Sequence, residues 1–514
     1  MLHPAPTVRT SRDSVAWGLL ISLAVLAVFF GIAASLGSPI LTLLIASPVA
    51  ALLLAFRPTA IVWGVLAGGL VVTGISDLYM PVLHQARWGV MLGAILLGSI
   101  ALASHVVRPP SMGDRLHSPS SASSALLPWL IAFVALSLVS ALANEGASLN
   151  AAVGLKGYFQ VAGLLLAFAL LPMAGSTSNR MMRLVPWLGL LQLPFALHQT
   201  LFLVPKRMGT ADAAHNIVAQ DIVVGTFSGS MSGGGAGPSM AILLGIALTI
   251  VAANWKCRRI DASKALLVSL ALVAPLALGE HKLGMIFILV VPLVVFGRNW
   301  LRNPVKTVGI SVLSLSAAVL LFLSFTMLPR TDGARNLSPT EYFERSVDYN
   351  FGFRGYGSLY LNRSTVYPFW WQNHQTYGGL AATLLGYGPG ATNESLRSLA
   401  DHSFATVHYP WVGIGLTGLS ALLWEVGVLG TAAFVGLLFK GVLLARRLAS
   451  EVSPSAPSWA YLKAAEAGII MAGLSLVHSR TLVFEIGAQT LLMLLLGYLW
   501  QASTQPHSLG TGND

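Results

Sequence analysis

Apolar residues in this chain come in runs of about twenty, the length needed to cross the hydrocarbon of a bilayer, and short polar stretches separate them. The runs fall near 15–36, 38–56, 59–76, 88–107, 125–143, 157–174, 184–204, 237–254, 263–279, 283–297, 307–328, 427–445, 460–477 and 481–500. The pair 263–279 and 283–297 is too long for one straight helix, and Gly279-Glu280-His281-Lys282 predicts a break between its halves. Two polar segments exceed ordinary connections, one over 205–238 and one over 329–411. The pattern predicts an all-α polytopic membrane protein of 12–14 transmembrane helices with one large extracytoplasmic loop.

Composition agrees. Of 514 residues 55% are hydrophobic and 10% charged, with a mean hydropathy of +0.72, whereas soluble domains carry about 25% charged residues. The net charge of +11 is spread between the apolar runs, which argues against a nucleic-acid partner. With the N-terminus inside, the cytoplasmic loops hold sixteen Lys and Arg and the short outer loops six, so both ends are predicted cytoplasmic. The first run, 15–36, follows Arg9 and Arg12 and reads as a signal anchor. A single cysteine, Cys257, excludes an internal disulfide, and the histidine spacing does not fit a zinc site.

The resulting organisation is an N-terminal bundle over 1–328, a large loop domain over 329–411, C-terminal helices over 412–500 and a cytoplasmic tail over 501–514. The glycine-rich segment 205–238 lacks the Gly-Lys-Ser/Thr ending of a phosphate loop and is expected to act as a flexible lid. The 329–411 loop has sixteen aromatic residues in 83, too many for a disordered segment, and is expected to fold. It interleaves Tyr, Trp and Phe with Arg345, Arg354, Arg363 and His374. Rings such as Trp370 and Trp371 stack on sugar faces, and guanidinium forks bind phosphate in a fixed plane. Lys282, at the break between two apolar runs, is positioned to anchor an anion, with His281 beside it; pairing with Glu280 is the plainer alternative. Histidine is the expected general base near neutral pH, and His408 and His402 lie on the outer side.

Three stretches carry a family resemblance. Gly386-Tyr387-Gly388-Pro389-Gly390 resembles a Gly-x-Gly-Pro-Gly turn, Glu425-Val426-Gly427-Val428-Leu429-Gly430 a Glu-x-Gly-x-x-Gly helix entry, and Gly225-Thr226-Phe227 a Gly-Thr-Phe motif. Together, in this order, they resemble the O-antigen ligase and O-antigen/exopolysaccharide polymerase superfamily of bacterial inner membranes. The resemblance implies a GT-C-like, metal-independent glycosyltransferase that needs no cofactor. It implies a donor glycan on undecaprenyl diphosphate, with Lys282 and Arg363 as diphosphate contacts, Arg354 and Arg480 as supplementary ones, and a flippase and chain-length regulators as partners beside membrane lipids. The ligases' Arg before Gly-Thr-Phe is replaced here by Ile222, and their His-Asn by the Leu416-Thr417-Gly418 region. The expected function is therefore a repeat-unit polymerase, with a ligase of the same fold or a polysaccharide transporter as alternatives.

Overall fold

The computed structural model describes residues 57–80, 86–107, 123–144, 149–171, 173–209, 219–231, 234–297, 303–328, 338–353, 355, 360–393 and 403–504. The chain divides into two compact units, 1–63 and 64–514; of the first only residues 57–63 are described, and the second carries everything that follows. The spans expected at 15–36 and 38–56 lie outside the described residues, as do Arg354 and His402.

Helix α1 (Pro58–Tyr79) passes through a π turn at Gly68–Val72, and α2 (Ala86–Val107) and α3 (Ser123–Ala143) follow. Helices α4 (Leu149–Phe159) and α5 (Ala162–Leu170) meet at a short break and are inclined by 49° to each other. Helix α6 (Gly175–Met208) contains Pro186 and Pro194 and a second π turn at Gln199–Leu203. Next come α7 (Gly237–Lys256), α8 (Ala262–Leu278), α9 (Lys282–Phe296) and α10 (Pro304–Thr326). The long loop contributes α11 (Pro339–Phe351), α12 (Val366–Asn373), α13 (Gly379–Leu385) and α14 (Phe404–His408). The chain closes with α15 (Gly418–Glu425), α16 (Gly427–Glu451), α17 (Pro457–Ser475), α18 (Thr481–Phe484) and α19 (Ile486–Thr504).

Among the described residues seven helices are long and apolar enough to cross a membrane, eight with the bent pair. The protein is thus an all-α, multi-pass membrane protein. The count falls short of twelve to fourteen because two predicted spans lie within 1–56, because α8 and α9, at 17 and 15 residues, are each shorter than a full span, and because α17 and α19 are not among the seven. The predicted break between them is present. Helix α8 stops at Leu278, Glu280 adopts a left-handed φ of 52°, and α9 restarts at Lys282.

Helices α7, α17 and α19 are buried nearly all round and form the centre, meeting at small residues such as Gly245 against Met471 and Gly468 against Ile246 and Leu495. Helix α10 lies outside, with Val308, Val312, Leu313 and Leu320 exposed as a lipid-facing side would be. The charged Glu466 of α17 is buried but paired, with Lys463 at 2.7 Å and Arg446 at 2.6 Å. Such pairing is what makes an ionisable group tolerable at that depth.

The described part of the 329–411 segment folds, as its aromatic content predicts. Trp370, Ala405, Ile414 and Trp424 form a core, with Phe369, Tyr387, Phe404 and Tyr409 packed on it. Two of the three motifs prove to be halves of one latch. The buried Glu425 carboxylate accepts from Tyr158 Oη (2.5 Å), Thr392 Oγ1 (2.5 Å), the Gly390 N–H (2.9 Å) and the Thr392 N–H (3.2 Å). Its carbonyl accepts from Ser140 and from the Gly388 N–H. Gly386 and Gly427 both have positive φ, and a Cβ on either would strike the other's backbone, so the turn and the helix entry must both be glycine here.

Candidate functional site

Four segments far apart in sequence converge on one open cleft of about 210 Å³. They are the glycine-rich segment (Asp221, Gly234, Gly235) with the start of α7, the Glu280–Leu283 turn, Tyr349 with Arg363 from the long loop, and His478 with Ser479. All four were assigned to the same side of the membrane by the basic-residue pattern. The cleft thus brings together Lys282, Arg363 and His281 from the expected site.

Helix ends shape its electrostatics. Both α7 and α9 begin at the cleft, so the positive ends of two helix dipoles lie beside it, an arrangement that favours negative charge. Lys282 Nζ lies 3.7 Å from Glu280, itself fixed by the Tyr342 hydroxyl at 2.6 Å. The plainer sequence reading of Lys282, a pair with Glu280, is thus present, and the same side chain lines the cleft. Arg363 donates from Nε to the His478 carbonyl and from Nη1 to Asn350 Oδ1, both at 2.7 Å, so neutral oxygens aim the fork. The Tyr349 ring lies 5.8 Å from Lys282 Nζ and 5.5 Å from the Arg363 guanidinium, so one aromatic face serves both cations.

The histidines here carry no charge at neutral pH. Burial pushes His281 down to about 4, with its hydrogen bond to the Val223 carbonyl opposing, and its Nε2 sits 2.8 Å from that oxygen. A Cβ at Gly237 would collide with the His281 ring. His478 is driven well below its usual value by burial, then by Arg363, Lys282 and His281. Asp221 shifts the other way, raised to about 6 by desolvation and by Glu280, against Arg207, Arg363 and Lys282. The Asp221 side chain nevertheless keeps an exposed surface toward the cleft, so it stays open to solvent and ligand while protein surrounds its other sides.

Within the segment expected to be a lid, residues 210–218 and 232–233 lie outside the described ones, and 223–226 are fixed by side chains. Gln199, in the π turn of α6, receives the N–H groups of Val224 (2.9 Å) and Gly225 (2.8 Å) and donates to the Gly225 carbonyl (2.7 Å). Gln192 receives the Thr226 N–H at 2.8 Å, and Thr226 Oγ1 donates to the Leu70 carbonyl at 2.7 Å. These bonds satisfy irregular backbone next to apolar helices, where water cannot. They fix 223–226, and with it the stretch that carries the cleft residue Asp221 two positions earlier.

Other expected residues lie elsewhere. His408 packs on Tyr377 at 4.1 Å and Phe404 at 4.8 Å and does not line the cleft. Trp370 belongs to the loop core and stacks on His374 at 4.3 Å, whereas Trp371 is exposed and open to a ligand. Arg480 lies over Phe484 at 6.0 Å, one residue beyond the cleft wall at Ser479. Sequence reasoning missed Asp221, Tyr349 and His478 as site residues. The one available signal was that Asp221 stands just ahead of Gly225-Thr226-Phe227.

A second, apolar groove of about 730 Å³ runs between α7, α8, α9 and α10. It is lined by residues such as Leu270, Val273, Ala277, Ile288 and Leu320. The arms of α8 and α9 form its sides, and the Glu280–Lys282 turn that joins them lines the polar cleft. Among the described residues no cluster of His, Cys, Asp and Glu could hold a metal ion. No family model and no curated protein matches this chain.

Proposed function

We propose that the chain is a glycosyltransferase of the polymerase type, transferring glycan from a polyprenyl diphosphate to an acceptor hydroxyl at the outer face of a bacterial inner membrane. One observation carries the reading. A cleft with two helix N-termini, Lys282 and Arg363 sits at the turn joining the two helices that flank an apolar groove. That arrangement suits an amphiphile with an anionic head and a long hydrocarbon tail. Lys282 and Arg363 neutralise the diphosphate as it leaves, and the dipoles of α7 and α9 point their positive ends to the same place. Asp221, held near 6, takes the proton of the attacking hydroxyl. The placement of His408 in the loop's aromatic cluster favours Asp221 over histidine for this step.

Deleting the gene tests the reaction class. A polymerase's loss leaves a single lipid-linked repeat unit, already accessible from the outer face, with no longer polymer on gels. A unit stranded on the cytoplasmic side would instead establish a transporter.

The ionisation of Asp221 sets the pH response. Its carboxylate must be charged to accept a proton, so kcat/KM should fall about tenfold per pH unit below a midpoint near 6. An arriving diphosphate raises the carboxyl further, so the midpoint for kcat lies higher than that for kcat/KM. Asp221→Asn should lower the rate by about 10²- to 10⁴-fold and remove the acid limb from what activity remains. A normal rate in Asp221→Asn would assign the base elsewhere.

A further inference from the structure

A second polar cleft, of about 180 Å³, draws residues from two of the segments that line the first. The segment 221–237 gives Asp221, Gly234 and Gly235 to the anionic-ligand cleft and Ser228 to this one. The segment 478–486 likewise gives His478 and Ser479 to the first and Phe484, Glu485 and Ile486 to the second. Only Arg480 and the first three residues of α18 separate the two contributions of the second segment, a rise of about 1.5 Å per residue. The clefts are therefore neighbours on the scale of one or two sugar rings.

The chemistry of the second cleft differs from that of the first. Asp77 of α1 accepts from Ser228 at 2.5 Å and faces Arg87 of α2 at 3.5 Å. Lys156 of α4 lies 3.9 Å over the Trp88 ring. Two carboxylates, two cations and neutral donors and acceptors from Ser228 and Asn393 thus alternate around a small space. A site of mixed, balanced sign with many hydrogen-bonding directions suits a polyhydroxylated ring better than a strong anion. Glu485 makes this more than a solvated surface. No described residue forms an ion pair or side-chain hydrogen bond with its carboxylate, and it lines the cleft half-buried between α18 and α19. A carboxylate so placed is costly without a partner, and a ligand hydroxyl supplies one.

We infer that this second cleft binds the acceptor glycan, with Glu485, Asp77 and Lys156 hydrogen-bonding its hydroxyls. The inference rests on the glycosyltransferase reading, because only a two-substrate transfer requires a sugar site beside the anion site.

The test uses purified full-length protein in nanodiscs and two probes. One is undecaprenyl diphosphate, which reports the first cleft; the other is oligosaccharide released by mild acid from the host cell's own lipid-linked pool. Glu485→Gln and Asp77→Asn should each weaken oligosaccharide binding at least tenfold while undecaprenyl diphosphate binds as in the unaltered protein. That retained binding also certifies that the variants fold. Oligosaccharide affinity unchanged in both variants, with undecaprenyl diphosphate still bound, would overturn the acceptor site and leave the transferase reading standing. Failure of the unaltered protein to bind undecaprenyl diphosphate would overturn the transferase reading, and the acceptor site with it.

Discussion

Membranes carrying Lys282→Met or Arg363→Gln are expected to form polymer about ten- to hundredfold more slowly, at unchanged protein abundance. A charge-assisted hydrogen bond contributes roughly 1.5–3 kcal/mol, and about 1.4 kcal/mol corresponds to a tenfold change in rate. Both side chains line the cleft, and both lie against the Tyr349 ring, so each loses a contact to the same leaving group. Lys282 needs a control, because its ion pair with the buried Glu280 could itself be what the structure requires. The pair Glu280→Gln with Lys282→Met separates the two. A purely structural ion pair predicts that the double variant recovers, since no buried charge is left uncompensated. A diphosphate contact predicts that it stays slow. Polymer synthesis from radiolabelled lipid-linked donor, normalised to protein in the membrane, measures both, and recovery in the double variant would remove Lys282 from the site.

Glu425→Ala acts on folding and not on chemistry. The carboxylate serves four donors from three residues, namely Tyr158 of α4, Gly390 of the glycine turn, and Thr392, which gives both its hydroxyl and its N–H. Removing it strands these donors away from water, each at about 1–3 kcal/mol. We expect a total loss on the order of 3–5 kcal/mol, the range for breaking a buried charged contact. Glu425→Gln should recover little, because its amide NH₂ would face donors where acceptors are needed. Thermal denaturation in detergent, followed by size-exclusion profile, should show the midpoint lowered by at least about 5 °C. An unchanged midpoint, with activity lost, would move Glu425 from the latch into the reaction.

The two sets of variants bear on different parts of one resemblance. Gly386–Gly390 and Glu425–Gly430 bind each other, holding the long loop against α4 and α16. Conclusions about catalysis therefore rest on Lys282, Arg363 and Asp221, not on those motifs.

The apolar runs by themselves determined that the chain is helical and membrane-spanning, because hydrocarbon offers no partner to backbone N–H and C=O groups and only helices satisfy them within one run. The break at Gly279–Lys282 was legible for a similar reason: a polar, glycine-started interruption cannot continue a buried helix. The aromatic density of 329–411 foretold that this segment folds, and the core around Trp370 and Trp424 bears that out for its described residues. The partners of the polar residues were decided only by tertiary structure. Outer segments carry no period from which distance can be read, so Asp221, Lys282, Arg363 and His478 look unrelated until α7, α9 and the long loop pack together. Equally hidden were Gln192 and Gln199, two glutamines inside an apolar helix, whose role as clamps depends on a backbone segment 25 to 34 residues away. Helix packing, which brings chain ends and middles to one place, is what turned scattered polar residues into a cleft.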